Sequence, residues 1–505
     1  LSGGSDRSLL EFSLRARGAT ILVVLSIFGA SLWGFGSVDQ SFFPNSTRPQ
    51  FMLDVWLPQG AHIDETTEAA AEIEEYLAGL DGTTHVSSLI GAGGMRFLLT
   101  YTAEKLNPAY IQFLVDVDDY RKIDALAADI EAHVPELVPD SASYVRKFIL
   151  GPGGGGKIQV RVRGKDSDVL RGLVSQVETI LYDDGRAKAI RNEWRNRVKV
   201  VEPVLAEEEA NRAGITRGDV ADTLLAAFQG STAGVYREGD DLLPIVVRAR
   251  EPQRSDVRSA NDLQVWSNQA GRAIPLRQVV SSFETDFEDE IVIRLDRERM
   301  IKVHADPAVG QASTLLARIM PKVDAIELPP GYAIEWGGEY EDSADAQAAM
   351  MGSIPAFLVA MIVIVIGLFN GLRQAAVIWL TVPLALIGVT WGLLLTNQPF
   401  GFMALLGFMS LSGMLIKNAV VLVDEIELQK KTKEPYAAIV DSGVSRLRPV
   451  AMAAATTALG MIPLLLDAFF VSMAVTIIGG LVVATVLTMI VVPVLYALFF
   501  GVRAP

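Results

Sequence analysis

Apolar residues are concentrated in six stretches, each close to the length needed to cross the hydrocarbon core of a membrane as a helix, about 20 residues. One stretch lies near the start, a long polar segment follows, and the other five come in quick succession. The pattern predicts an α-helical polytopic membrane protein with one span, a large domain outside the bilayer and five further spans. The predicted spans are residues 19–35, 354–369, 375–395, 402–423, 450–466 and 471–500.

The polar segment alternates strands of period 2 with amphipathic helices of period 3.6. Its first part, 51–150, contains two strand–helix–strand repeats, which together predict one split βαβ sandwich with helices on one face of the sheet. After the glycine run at 151–156, interpreted as a hinge, a second half-sandwich appears at 158–162, 166–182 and 189–200. Its partner elements come only at 300–304, 314–323 and 332–336. The chain at 207–297 is therefore predicted to be a domain inserted into the second sandwich.

Basic residues are distributed unequally among the loops that join the spans. The loops at 396–401 and 467–470 contain no lysine or arginine. Because cytoplasmic loops carry an excess of these residues, the pattern predicts that both termini are cytoplasmic and that the polar segment lies on the outer side. The residues behind this orientation are Arg7, Arg15, Arg17, Arg373, Lys430, Lys431, Lys433, Arg446, Arg448 and Arg503.

Composition supports a membrane protein and narrows its partners. Half of the 505 residues are hydrophobic and the formal net charge is −15, which argues against a nucleic-acid partner. The chain has no cysteine, so neither a disulfide framework nor a thiolate metal site is predicted. Because the chain begins with Leu1 and not methionine, we expect a processed, engineered or cut start. No cleavable signal peptide is evident, since the first apolar stretch has the length of a span.

Four strings carry a resemblance to a known family: FFPNSTRPQFMLDVWLPQG at 42–60, GMLIKNAVVLVDE at 413–425, RLRPVAMAAATTALGMIPLL at 446–465 and IVVPVLYALFF at 490–500. With them, essentially the whole chain resembles the C-terminal half of a resistance–nodulation–division (RND) multidrug efflux pump of the hydrophobe/amphiphile class. The resemblance implies a proton antiporter of the bacterial inner membrane, which is a secondary active transporter and not an enzyme, with no cofactor. The implied partners are an N-terminal half of the same transporter, two further copies in a homotrimer, a periplasmic adaptor and an outer-membrane channel.

The resemblance also gives names to the predicted domains. Two ferredoxin-like porter subdomains with an inserted docking subdomain are implied outside the membrane. The predicted division is a cytoplasmic segment at 1–18, a transmembrane helix at 19–37, the first porter subdomain at 38–150, the second at 151–206 and 298–345, the docking subdomain at 207–297 and a five-helix bundle at 346–505.

Lys417 lies in the middle of the fourth predicted span. A cation at this depth costs roughly 2.5–3.5 kcal/mol and usually has a partner. The resemblance implies a proton-relay lysine that pairs with two aspartates of the N-terminal half, and no span of this chain holds a carboxylate at central depth. The alternatives are a lysine that reaches an interface or a structural ion pair.

Other relay candidates flank Lys417. Asp424 lies two turns further on the same face, although such an acid can simply mark the wet end of a span; Glu425 and Glu427 are expected to be solvated. Arg446 matches the arginine below the family's aspartates, and positive-inside anchoring would equally explain it. Thr456 and Thr457 lie one turn beyond Ala453, where the family often has threonine, so an altered hydroxyl relay is expected. Four positions are predicted to permit close helix packing: Gly407, Ser410, Gly413 and Asn418.

The glycine-rich loop at 91–101 matches a flexible loop that divides the family's drug pocket, and an ordinary hairpin turn is the alternative. The candidate pocket residues are Met95, Phe97, Tyr101 and Phe113. Metal efflux is less expected, because no histidine lies in a span and the methionines show no paired spacing. The four histidines, His62, His85, His133 and His304, are expected on surfaces. Two other functions stay open: an export-auxiliary subunit of the same superfamily, and a non-transporting scaffold for an adaptor.

Overall fold

The structure is a computed structural model that describes residues 3–98, 100–151, 156–254 and 257–503. Parts of the predicted hinge, at 152–155, and Leu99 of the glycine-rich loop lie outside the described residues. The helices are α1 (Gly3–Arg15), α2 (Arg17–Phe35), α3 (Ile63–Gly79), α4 (Ile123–Leu137), α5 (Ser167–Asp184), α6 (Glu207–Ala213), α7 (Arg217–Phe228), α8 (Glu251–Arg254), α9 (Ala312–Val323), α10 (Glu339–Phe369), α11 (Leu372–Thr381), α12 (Ala385–Thr396), α13 (Phe402–Gln429), α14 (Pro435–Met461) and α15 (Val471–Phe499).

The strands form a set of small antiparallel sheets. In chain order they are β1 (Gln50–Trp56), β2 (Thr83–Ile90), β3 (Tyr110–Val117), β4 (Ala142–Lys147), β5 (Ile158–Gly164), β6 (Ala187–Asn192), β7 (Val198–Leu205), β8 (Ser231–Glu238), β9 (Asp241–Val247), β10 (Gln264–Ser267), β11 (Arg272–Pro275), β12 (Val280–Glu288), β13 (Arg294–Leu295), β14 (Glu298–Pro307) and β15 (Ala333–Gly338).

Among the described residues, six helical segments are long and apolar enough to cross a membrane. They are α2, α10, α11 with α12, α13, α14 with its 3-10 extension to Leu466, and α15. Each overlaps one predicted span, but the second and the fifth begin earlier than predicted, at Glu339 and at Pro435. Pro435 occupies the first turn of α14, where its missing N–H is not needed, and the helix continues through Pro449. A proline inside a membrane helix is tolerated because neighbouring groups satisfy the freed backbone.

The bundle packs around α15, whose closest neighbours are α12 and α13. Glycines permit the approach of α12 to α15: a Cβ on Gly388 would collide with the carbonyl oxygen of Gly479. Small residues at such crossings let two backbones come close enough for dispersion contacts. In contrast, no atom lies within 4 Å of the position that a Cβ on Gly413 would take. The close packing predicted at Gly413 has no partner helix among the described residues and stays a prediction.

The first sheet has the strand order β2-β3-β1-β4, with every pair antiparallel, which is the order of a split βαβ sandwich. Helices α3 and α4 cover one face and bury its alternate side chains, Phe51, Leu53, Val55, Ile111, Phe113 and Val115 among them. The opposite face, which we call the open face because neither α3 nor α4 covers it, carries side chains that are mostly buried by other parts of the chain: Met52, Asp54, Trp56, Tyr110, Gln112, Leu114, Tyr144, Arg146 and Phe148.

The second sheet repeats this order with β6, β14, β5 and β15, and helices α5 and α9 cover one face. The predicted strand at 189–200 is two strands, because Arg195 takes a positive φ and Trp194 turns into the core. Strand β7 then pairs with β12. The compact inserted unit is Asn196–Glu290, so it starts before the predicted boundary at 207.

The inserted unit has its own apolar core, which packs α6 and α7 against β10, β11 and the start of β12. Leu276 and Val265 are fully enclosed there. Its long hairpin, β8 with β9, exposes nearly every residue.

Helix α10 follows β15 without a loop. Gly338, at a positive φ of 72°, ends the strand, and Glu339 begins a helix that continues for 31 residues. Arg161 on β5 clamps the first turn of this helix, since its Nη1 donates to Glu341 Oε1 at 2.9 Å. The second sheet is therefore joined directly to a candidate membrane span.

Candidate functional site

One face of α13 is exposed along its whole length. The opposite face buries residues such as Leu411, Leu415, Ala419 and Leu422 against the bundle. The exposed positions recur at intervals of three, four or seven residues, so they form one stripe. This exposed stripe consists of Leu406, Met409, Ser410, Gly413, Lys417, Asp424 and Leu428.

Lys417 lies at the middle of this stripe, about 22 Å along the helix axis from Phe402. In the part of the chain that the structure describes, no carboxylate lies within ion-pair distance of Lys417 Nζ. Asp424 is exposed on the same stripe, two turns further along. The helix thus presents a cation and an acid outward, and the predicted external carboxylates stay a prediction.

Arg446 is held by a carboxylate that the sequence pattern did not assign to it. Its Nε donates to Glu425 Oε2 at 2.9 Å, and Glu425 also accepts from Gln429 Nε2 at 2.7 Å. Glu427 accepts from Tyr496 Oη at 2.6 Å and from Gln374 Nε2 at 3.0 Å. The expectation that both glutamates are simply solvated is wrong, because donors from α11, α14 and α15 surround them.

Thr456 and Thr457 donate their hydroxyls to carbonyl oxygens of their own helix, Met452 at 2.8 Å and Ala453 at 2.9 Å. Both side chains are at the little-buried surface of α14. The described structure does not bring them to Lys417, and their part in a relay stays a prediction. Asn418 is half-buried next to Lys417.

The predicted pocket residues separate into two groups. Phe113 is fully buried in the core under α3 and α4, so its assignment to a pocket is wrong; strand alternation points it away from the open face. Tyr101 packs against the open face beside Phe148 and stacks on Phe97, with ring centres 4.7 Å apart. Met95 is exposed on the same glycine-rich loop.

A polar network runs across the open face. Asp54 is 3% exposed, accepts hydrogen bonds from Tyr110 Oη at 2.6 Å and Gln112 Nε2 at 2.9 Å, and pairs with Arg146 at 3.1 Å. Gln112 Oε1 in turn accepts from Tyr101 Oη at 2.9 Å. Burial together with the Asp54 carboxylate raises the pKa of Tyr110, so its hydroxyl stays a donor. Sequence reasoning missed Asp54, although one acid in an otherwise apolar strand was a usable signal.

A second buried polar cluster lies in the second sheet, around His304 on β14. His304 is 6% exposed, which corrects the expectation of a surface histidine. Its Nδ1 accepts from Gly156 N at 3.2 Å, and its Nε2 contacts Glu193 Oε1 at 3.0 Å. Burial lowers the pKa of His304 to about 4, so the neutral ring with Nε2–H fits both contacts. Although burial opposes it, hydrogen bonds from His304 and Lys302 lower the pKa of Glu193 to about 2.

A cavity of about 440 Å³ lies where the helices meet the second sheet. Apolar atoms form most of its wall, and polar groups approach from the first turns of α10. Its lining includes Phe35, Phe42, Phe402, Met350, Glu339 and Gln347.

Two sheet-and-helix sandwiches, an inserted unit and a helical bundle with a mid-helix lysine are the features of an RND-type transporter. Residues 6–500 match the AcrB/AcrD/AcrF family, so the chain belongs to that family of RND efflux transporters. Members of the family are secondary transporters and not enzymes.

Relatives and solved structures extend this comparison. The chain is 30% identical over 354 residues to the nickel and cobalt resistance protein CnrA of Cupriavidus metallidurans (67% of this chain, 32% of CnrA). It is 21% identical over 501 residues to the swarming motility protein SwrC of Bacillus subtilis (97% of this chain, 46% of SwrC). A crystal structure of a heavy metal efflux pump superposes with a TM-score of 0.84 at 22% identity, covering 98% of this chain and 52% of that chain.

The chain thus spans between about a third and a half of the relatives that it matches. Another relative, the cobalt-zinc-cadmium resistance protein CzcA of Cupriavidus metallidurans, is 26% identical over 68% of this chain and 33% of its own length. These names point to metal resistance, so they do not support the predicted hydrophobe/amphiphile subclass.

Proposed function

We propose that the chain is the C-terminal half of a proton-driven exporter that removes amphiphilic or hydrophobic compounds from the periplasm and inner membrane by alternating access. In this proposal it assembles with an N-terminal half into a homotrimer that engages a periplasmic adaptor and an outer-membrane channel. The sheets lie in the periplasm and both termini in the cytoplasm. The observation that carries the proposal is the exposed stripe of α13, which presents Lys417 at mid-depth.

The exposed stripe of α13 would be unfavourable in contact with lipid tails, because it contains Lys417. A cation at bilayer depth costs roughly 2.5–3.5 kcal/mol unless a counter-charge approaches it. Gly413, one turn from Lys417, leaves open space in which another helix fits. Carboxylates on such a helix would pair with Lys417 and release it when they take up protons.

The residues around the C-terminal end of α13 would complete the proton route. Asp424 continues the stripe toward the cytoplasm, and Arg446 is fixed at that end by Glu425. Thr456 and Thr457 are the hydroxyl candidates on α14.

The substrate would enter through apolar surfaces. The cavity at the head of the helices is walled by Phe35, Phe42 and Phe402 and lies at the level where a span leaves the bilayer. Phe97 and Met95, which are exposed on the glycine-rich loop, offer a second apolar surface. An apolar cavity with a few polar groups is the usual form of a small-molecule site.

Export of an amphiphilic dye from cells that lack their own pumps tests the proposal. The chain with a co-expressed N-terminal half should export the dye only while a proton gradient is present, and Lys417→Met should abolish export. Lys431→Met, at an exposed lysine beyond the span, is the matched control and should leave export intact. Export by the chain alone would favour the export-auxiliary function, and adaptor binding without export in either condition would favour the scaffold.

Metal cations are the second candidate, because CnrA and CzcA are named for metal resistance. Tolerance of nickel and cobalt in the same cells separates the two. Metal tolerance without dye export would replace our proposal.

A further inference from the structure

A second cavity, of about 610 Å³, lies at the C-terminal end of α15, and we call it the α15 cavity. The residues at 500–503 form one wall, and the residues at 434–437, where α14 begins, form the other. Phe500 and Val502 supply apolar surface, whereas Arg503 and Glu434 bring charge. Arg503 and Glu434 are exposed, so the cavity is reached from outside the protein. A ligand therefore has both room and access here.

Basic side chains from three other helix ends gather around this end of α15. Arg373 Cζ and Lys430 Nζ lie 5.9 Å and 5.0 Å from the ring centre of Phe500, which belongs to the cavity wall. Arg17 Nη1 donates to Val502 O at 3.3 Å. A contact between a cation and a ring orients the cation without neutralising it. Positive charge therefore surrounds the apolar part of the wall.

These cations lie at one level of the helical bundle. Arg17 is the first residue of α2, Arg373 is the second of α11, and Lys430 directly follows α13. Arg503 lies four residues beyond the end of α15. Each of these four helices belongs to a candidate membrane span. The cations are therefore placed where the spans leave the hydrocarbon, which is the depth of the lipid headgroups.

Acids neutralise part of this charge. Glu427 pairs with Lys430 at 3.6 Å, and Glu434 is the acid of the cavity wall. Arg373 and Arg503 are exposed, and neither forms an ion pair or a hydrogen bond with a residue that the structure describes. These two guanidinium groups are therefore available to an added anion.

The combination of charge, apolar wall and depth matches the headgroup of an anionic phospholipid. A guanidinium presents two parallel N–H donors that fit the oxygens of a phosphate. Phe500 and Val502 offer an apolar surface to the glycerol backbone that adjoins the phosphate. Basic pockets between membrane helices bind such headgroups, because lipid phosphates and the basic side chains lie at the same depth.

We propose that the α15 cavity binds the headgroup of an anionic phospholipid, with Arg373 and Arg503 on its phosphate and Phe500 against the adjoining glycerol. The proposal goes beyond the proposed function, because it requires that these helices span a membrane and not that they transport. A lipid bound in this way joins the ends of α11, α14 and α15. The competing explanation is a general attraction of the basic surface for anionic lipids, without a defined site.

Native mass spectrometry of the purified full chain in a neutral detergent tests this, because it counts bound lipids and gives their dissociation constants. The probes are dioleoylphosphatidylglycerol, which is anionic, and dioleoylphosphatidylcholine, which has no net charge. The unaltered chain should bind one phosphatidylglycerol at least about tenfold more tightly than phosphatidylcholine, because two arginines contribute. Arg373→Gln and Arg503→Gln should each weaken phosphatidylglycerol about fivefold and leave phosphatidylcholine unchanged. Glu434→Gln should tighten phosphatidylglycerol, because it removes the acid from the cavity wall.

Lys431→Gln is the matched control, since Lys431 is an exposed lysine next to Lys430 but does not belong to the cavity wall. It should leave the binding of both lipids unchanged, and the Tm of each variant without lipid checks that it is folded. Equal binding of the two lipids would overturn the proposal, as would a loss of phosphatidylglycerol in Lys431→Gln as large as in the arginine variants.

Millimolar inorganic phosphate separates a lipid from a free anion. It should not displace phosphatidylglycerol, because it lacks the apolar part that the wall contacts. Displacement would assign the α15 cavity to free phosphate and overturn the proposal. Arginine-dependent lipid binding in a chain that exports no dye would refute the proposed function and leave this inference standing.

Discussion

Replacement of Asp54 by leucine should destabilise the first sandwich, while replacement of Asp54 and Arg146 together should restore much of the loss. Asp54 is 3% exposed and satisfies Tyr110, Gln112 and Arg146 at 2.6 Å, 2.9 Å and 3.1 Å. Removing one member of a buried ion pair costs about 3–5 kcal/mol, because the other charge stays buried without a partner. The double variant keeps only the loss at the Tyr110 and Gln112 donors, about 1–3 kcal/mol.

Thermal unfolding of the full chain in detergent, followed by tryptophan fluorescence, measures this difference. Trp56 is a local reporter, since its ring centre lies 5.2 Å from that of Tyr110. For a sandwich of this size, 1 kcal/mol shifts Tm by about 4–8 °C, so Asp54→Leu should lower the reported Tm by at least about 12 °C. If the single variant were as stable as the double variant, Arg146 would not depend on Asp54, and the reasoning about this buried pair would be refuted.

Three further results are expected. Gly388→Val should sharply lower the yield of folded protein, because its side chain would meet the Gly479 carbonyl, whereas Gly460→Val, at an open position of α14, should not. The pKa of His304 lies below that of a free histidine, so the unfolded chain binds more protons than the folded chain between pH 6.5 and 4. The free energy of unfolding should therefore fall by about 3 kcal/mol as the pH drops through that window. His304→Gln should make Tm less dependent on pH over the same window. Glu341→Gln should lower Tm only slightly, by about 1 kcal/mol or less of stability, yet reduce dye export severalfold if the clamp on α10 transmits force; unchanged export would contradict that.

The sequence was informative wherever periodicity is strong. Apolar spacing predicted six candidate spans and two split βαβ sandwiches, and the late return of the second sandwich at β14 predicted an insertion. The start of α14 was missed because proline is compatible both with a first turn, as at Pro435, and with a helix interior in a membrane, as at Pro449. Local pattern does not separate the two.

The candidate site was less predictable, because its contacts join distant segments. Glu425 and Arg446 are 21 residues apart on different helices, and Asp54 and Arg146 are brought together only by the pairing of β1 with β4. Arg191 and Arg195 lie over the Trp56 ring only because the second sheet packs there. Lys417 could be identified from the sequence alone, because a lysine within an apolar stretch stands out without any knowledge of the fold.

The direct passage from β15 into α10 has a mechanical consequence. With no linker to absorb displacement, a shift of the span along its axis by one residue rise, about 1.5 Å, would arrive at the edge of the second sheet almost undiminished. That edge strand is laddered to β5 from Ala333 to Gly338, so the whole sandwich would have to tilt or else the ladder would have to slip. Alternation of side chains makes slippage by one position prohibitive, since it would turn every inward residue outward. The junction should therefore transmit a movement of α10 along its axis to the second sheet and tilt that sheet.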